Sequence, residues 1–345
     1  MKQIKNILAA AALLALPIAF TSCEDVLGHW EKPVPATPVA TTEEPAVVAS
    51  ADQYLEWSTT DNKLVAQDIP AGYITMESST TTWNSNYIVE SNVTIDGNVT
   101  ITGDANIILK DGVTLTVNGR VAGDNKLCIF AQNSDATAAG KLVIAPTSGA
   151  GSASSALSVS ELQIHGGDIT ATGHNNSSAA GDEGLTTSGK MFFYAGKVTA
   201  NGGSATGASG NGGIGINCKG VECHIYKAEV TATGGNSTSP ASGGNGIACG
   251  GSGSDPALTI DGGIVKATAG EGTSSYGVYS FIHVEGGEFY ACGNTNGKGV
   301  LGPLYWDASL TAEGGVTNAY GTVIDNNNNS NHGVDAITYR YVRVK

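Results

Sequence analysis

The sequence predicts an all-β chain wound as a right-handed parallel β-helix, a solenoid with three short strands per coil. Three observations carry that expectation. A ten-residue pattern is written five times: "IHGGDITATG" from Ile164, "FYAGKVTANG" from Phe193, "IYKAEVTATG" from Ile225, "IDGGIVKATA" from Ile260 and "VEGGEFYACG" from Val284. The copies recur every 24 to 35 residues, the spacing of a solenoid or array. Within each copy the apolar positions are two residues apart, the periodicity of a strand and not of a helix. Composition agrees: among 345 residues there are 48 glycines, 41% are hydrophobic and only 14% are charged. Such a chain is too apolar for disorder and too rich in glycine for a helical fold.

From the N-terminus, Lys2 and Lys5 precede the apolar run "ILAAAALLALPIAF", and "TSC" ends at Cys23. A positive start, a short apolar core and small residues define a secretory signal over residues 1–22. The cysteine at the cleavage point resembles a bacterial lipoprotein signal, with Cys23 expected to carry the lipid. No other stretch is long or apolar enough to span a bilayer. The expected location is therefore the bacterial outer membrane, lipid-anchored and exposed at the cell surface. Cleavage removes two lysines and no acid, taking the formal net charge from −14 to −16. Residues 23–50, rich in Pro and Thr, read as a semi-rigid linker. Residues 51–88 are expected to cap the solenoid, with one short helix near "ADQYLEW".

The solenoid is expected over residues 89–325. It begins with tighter units, "NVTIDGNVTITGDANIILKDGVTLTVNGRVAGDNKLCIFAQ", in which Val, Ile and Leu alternate with polar residues. The five copies then align in columns. Leu162, Met191, Cys223, Leu258 and Ile282 form one, and Ile164, Phe193, Ile225, Ile260 and Val284 the next. After a turn come Ile169, Val198, Val230, Val265 and Phe289, then an alanine column at 171, 200, 232, 267 and 291. Pairs such as Gly166–Gly167 and Gly286–Gly287 sit at the bend, where positive φ is needed. The fragments "EGLTT", "GGIGI", "NGIAC", "YGVYS" and "KGVLG" supply the third strand. Residues 326–345 end in "AITYRYVRVK", an alternating strand that closes the stack and protects its edge.

The combination "GDANIILKDGVTLTVNG", "KLCIFAQ" and the iterated "GGxVTATGG…GGIG" pattern resembles the secreted right-handed β-helix carbohydrate-binding domains of bacterial cell surfaces. The resemblance covers residues 85–320 and implies a pectate-lyase-like fold, binding of cellulose and acidic sugars, and calcium. None of that family's calcium ligands is matched residue by residue.

Inward columns build the scaffold, so function is expected on outward ones. His165, Tyr194, Tyr226, Asp261 and Glu285 form one outward column, and Gln163, Phe192, His224, Thr259 and His283 its neighbour. Phe192, Tyr194, His224 and Tyr226 are the candidate platform for polysaccharide, since apolar sugar faces pack on rings. The opposing expectation is a loop that covers them. Asp261, Glu285 and Glu288 are the candidate calcium ligands, because stacked carboxylates repel unless a cation intervenes. Asp182 and Glu183 are a second acidic pair.

The acidic balance disfavours nucleic acid as a partner. Catalysis is not expected. A polysaccharide lyase needs a base, usually Lys or Arg; Arg120, Arg340 and Arg343 all lie outside the repeated coils, and Lys197, Lys227 and Lys266 face outward where lysine is common. The leading expectation is a non-catalytic lipoprotein that binds polysaccharide with calcium assistance. A structural or adhesive surface protein with a protein partner is the second reading, and a lyase-like enzyme the third.

Overall fold

The computed structural model describes residues 46–147, 154–207, 210–220, 222–238, 240–250, 256–316, 322–323 and 339–345. The signal segment, Cys23 and most of the linker lie outside the described residues. Those described are built from strands and turns, with no helix among them.

The strands fall into three long sheets of 12, 9 and 11 strands. Successive strands enter them in rotation. Thr82–Trp83 lies in the second sheet, Asn86–Val89 in the first and Val93–Ile95 in the third; Val99–Ile101 then returns to the second. Apart from the strands at the two ends, each therefore pairs in parallel with one a full round away, the arrangement consistent with a parallel β-helix. The aligned columns are the observed register. In the third sheet Ile169 pairs Val198, Val198 pairs Val230, Val230 pairs Val265 and Val265 pairs Phe289, with the alanine column beside them. In the first sheet Leu162, Met191, Cys223, Leu258 and Ile282 stand in line. The period-two alternation turns these residues to the interior, where almost all are 0–1% exposed. One continuous apolar core results, running from Met76 and Trp83 to Val342 and Val344.

Glycine does two separate jobs. Gly167, Gly196, Gly263 and Gly287 turn the chain from the first sheet into the third with φ of 94°, 84°, 74° and 75°, a region that side chains rarely enter. A second set closes a neck between the third and second sheets. There Gly203 N–H donates to the Asp182 carbonyl, Gly213 to Gly203, Gly235 to Gly213, Gly244 to Gly235 and Gly270 to Gly244, at 2.7–2.9 Å. A Cβ on Gly213 would lie 2.0 Å from the Asp182 carbonyl oxygen. Beyond the neck, successive loops stack on each other through parallel bridges from Asn176 to Ala205 to Ser237.

The N-terminal segment departs from expectation. "QYLEWS" is a strand, β1 (Gln53–Ser58), and it pairs antiparallel with β2 (Lys63–Asp68) across a turn in which Asn62 has φ 53°. No helix forms because apolar and polar residues alternate: Leu55 and Trp57 are buried while Tyr54, Glu56 and Ser58 are only half-buried. The hairpin lies on the outer side of the first sheet, with Leu55 paired to Ala131, and does not cover the end of the core. Met76 and Trp83, 2% and 0% exposed, close that end. At the other end Tyr341–Val344 pairs antiparallel with both Glu288–Cys292 and Ala312–Gly315, as a closing strand should.

Candidate functional site

The outward column of the first sheet is held by a backbone ladder. The His165 N–H donates to Ile129, Tyr194 to Ile164, Tyr226 to Phe193, Asp261 to Ile225 and Glu285 to Ile260, each at 2.8–2.9 Å. Strand spacing of about 4.8 Å is also a ring-stacking distance. The side chains therefore form a continuous row: Phe130 to His165 at 4.6 Å, His165 to Tyr194 at 4.6 Å, Tyr194 to Tyr226 at 4.9 Å. Phe192 joins it 5.8 Å from Tyr194, and His224 follows 6.0 Å from Phe192.

The hairpin covers this row. Trp57 lies 6.0 Å from Tyr194 and 5.7 Å from Tyr226, and it forms one apolar cluster with Phe192, Tyr194, Leu64 and Tyr226. Phe192 and Tyr194 are thereby only 9% and 7% exposed. The expected four-ring open platform is corrected: two of its rings are packed under Trp57, and the half-buried His224 and Tyr226 form the edge that remains. The physical reason is area. A row of rings left in water would cost more than the hairpin loses by ordering against it.

His165 fixes the hairpin's position. The backbone N–H of Trp57 donates to its Nδ1 at 3.0 Å. Burial, with a smaller contribution from Lys126, pulls the imidazole down to about 3, so it stays neutral and free to accept. Burial, then the neighbouring Tyr226, pushes Tyr194 up to about 12.

Two grooves flank Trp57. One of about 480 Å³ has Trp57, Lys63 and Leu64 on its hairpin wall, Asp135 and Thr137 at one side, and Lys197, Lys227 and Glu229 on the sheet corner. The other, about 370 Å³, is bounded by Trp57, Asn62, Tyr226, Lys227 and Asp261. The Trp57 indole Nε1–H is buried without a hydrogen-bond acceptor. Sequence reasoning missed Trp57 and Leu64. The available signal was the alternation in "YLEWS" ahead of "TTDN", which marks a hairpin.

Past Tyr226 the column turns acidic. His224 Nδ1 stands 3.4 Å from Asp261 Oδ2, and His283 Nδ1 3.2 Å from Glu285 Oε1. The Glu285 carboxyl is raised by burial and then by its hydrogen bond with Asp261. Glu288, the third expected ligand, is elsewhere: it lies in the third sheet and accepts the Tyr290 hydroxyl. Of the three expected calcium ligands only Asp261 and Glu285 stay together, against the roughly six to eight oxygens calcium takes. Among the described residues, no group of three or more His, Cys, Asp or Glu is placed to hold a metal ion.

Asp182 and Glu183 are likewise engaged internally. Asp182 is 0% exposed and pairs with Arg120, while Glu183 accepts from Asn217 and lies 3.6 Å from Lys219. The remaining arginines are also committed, Arg343 to Glu313 and Arg340 to the Gly293 carbonyl. No family model, no characterised protein and no solved structure matches the chain.

Proposed function

We propose that the chain is a non-catalytic polysaccharide-binding lipoprotein, tethered through Cys23 to the outer membrane and built on a right-handed parallel β-helix. The carrying observation is the groove beside Trp57. Trp57, Leu64 and Lys63 face Lys197, Lys227 and Glu229 across about 480 Å³. A groove of that kind suits a hydroxylated chain, whose apolar faces pack on Leu64 and the rim of Trp57 and whose oxygens meet Lys63, Lys197, Lys227 and Glu229.

Affinity electrophoresis in gels loaded with neutral or uronate polysaccharides tests this directly. The intact protein should be retarded in at least one gel, and Lys63→Gln with Lys197→Gln should reduce retardation in that gel. Because the acidic column does not suit calcium, chelator should leave retardation unchanged. Free migration of the intact protein in every gel would refute the reading.

A further inference from the structure

The core of an apolar solenoid is an unusual place for thiols, yet three meet there. Cys128, Cys218, Cys223 and Cys249 are free and buried. Cys128 belongs to a separate outer cluster with Ile88, Ile108 and Phe130. The other three share the main core, at 0%, 1% and 6% exposure for Cys218, Cys223 and Cys249. Their places follow from the register. Thr187 pairs Cys218 and Cys218 pairs Cys249 on successive rounds of the second sheet, all three pointing into the same corner. Cys223 opens the next strand of the first sheet and enters that corner from the other wall.

The three thiols are in mutual contact. Cys218 and Cys249 are direct register partners on adjacent strands, Cys223 shares their core cluster, and the three perturb one another's ionisation. The neighbours of the group are polar as well. Cys218 Sγ faces the carbonyls of Gly189 and Glu222 at 3.5 Å each, and Cys249 meets the Ser280 hydroxyl. The hydrogen bond with Cys218 and then other contacts and burial hold the Cys223 and Cys249 thiols well above the ordinary range. The same contacts pull Cys218 the opposite way, below the ordinary thiol range, so Cys218 is the nucleophile of the set.

We propose that Cys218, Cys223 and Cys249 form an oxidisable trithiol, a site of reversible disulfide formation that links neighbouring rounds of the fold while keeping one thiol for exchange. The chemistry is an ordinary thiol–disulfide exchange with a small-molecule disulfide as oxidant. One cysteine thiolate attacks the oxidant's S–S bond, forming a mixed disulfide and expelling one thiolate. A second cysteine of the group displaces the other half. One S–S bond forms in the protein and one breaks in the oxidant, which leaves as two thiols carrying the two electrons and two protons. The third cysteine, already in contact, can attack the new bond, so the link is not confined to one pair. Adjacent strands place Cys218 and Cys249 within the Cα separations that disulfides span, roughly 4.4–6.8 Å. Because all three are buried, reaction waits on local opening of the corner.

The test uses the full chain, folded, incubated with oxidised glutathione, then denatured under acid, alkylated and mapped by mass spectrometry. Two thiols per chain should be lost relative to the untreated protein, with the new link inside the 218/223/249 set and Cys128 still free. Each of Cys218→Ser, Cys223→Ser and Cys249→Ser should still close a link between the remaining two, and reductant should reverse it. A variant that fails to fold is replaced by the matching alanine change, and the wild-type map decides alone if both fail. Retention of all three thiols after prolonged oxidant, or a link made only through Cys128 or between chains, would overturn the proposal.

Discussion

Replacing Trp57 with alanine should release the hairpin from the aromatic row without unfolding the solenoid. Trp57 is 6% exposed and touches Tyr194 and Tyr226 at 6.0 and 5.7 Å. Truncating a buried tryptophan costs about 3–5 kcal/mol, of which each ring pair supplies roughly 0.5–1.5. The other links that hold β1 are the Leu55 pairing with Ala131, the Tyr54 ring against Phe130 at 5.0 Å, the Trp57 N–H to His165 bond, and Gln132 Nε2 to the carbonyls of Ser50, Ala51 and Gln53. The loss therefore falls on local opening of residues 50–68, and at about 1.4 kcal/mol per tenfold it predicts exchange there roughly 10²- to 10³-fold faster. Hydrogen exchange read by mass spectrometry resolves that segment from the sheets. Amides of the strands 169–172 and 198–201 should be unaffected. Acceleration of less than about threefold in residues 50–68, or equal acceleration throughout, would refute the claim that Trp57 is the hairpin's main attachment.

Two further outcomes follow from the same geometry. His165 is held neutral in the fold at about 3, below its ordinary 6.5, so the folded state binds fewer protons between those values. Its contribution is fully present above 6.5 and lost as pH falls toward 3, by at most about 1.4 kcal/mol per pH unit. His165→Asn keeps an acceptor for the Trp57 N–H and should flatten that slope, measured as hairpin exchange or urea midpoint against pH. Arg120→Met leaves the fully buried Asp182 without its partner and should cost about 3–5 kcal/mol in urea unfolding. Adding Asp182→Asn should recover part of the loss, and no recovery would show that the pair is not what holds that corner.

How far the sequence reached is set by the range of the interactions involved. Period-two alternation and like residues at like positions are local or repeat-encoded. The columns through Ile169 and Ala171, the glycine bend at Gly167 and the closing strand at Tyr341–Val344 were therefore all legible before any coordinate. The varying letter after the first strand was equally legible as an outward column. What covers that column was not, because Trp57 and His165 are 108 residues apart and nothing periodic relates them. The same holds for Arg120 and Asp182, 62 residues apart, whose pairing removes Asp182 from any surface role. Glu288 shows the limit from the other side: three residues past Glu285, it sits beyond the Gly287 bend and so faces a different sheet. Repetition by itself determined the strands, their register and which side chains face out. Only the tertiary structure decided which outward side chains meet water, because burial of that row depends on a hairpin that belongs to no repeat.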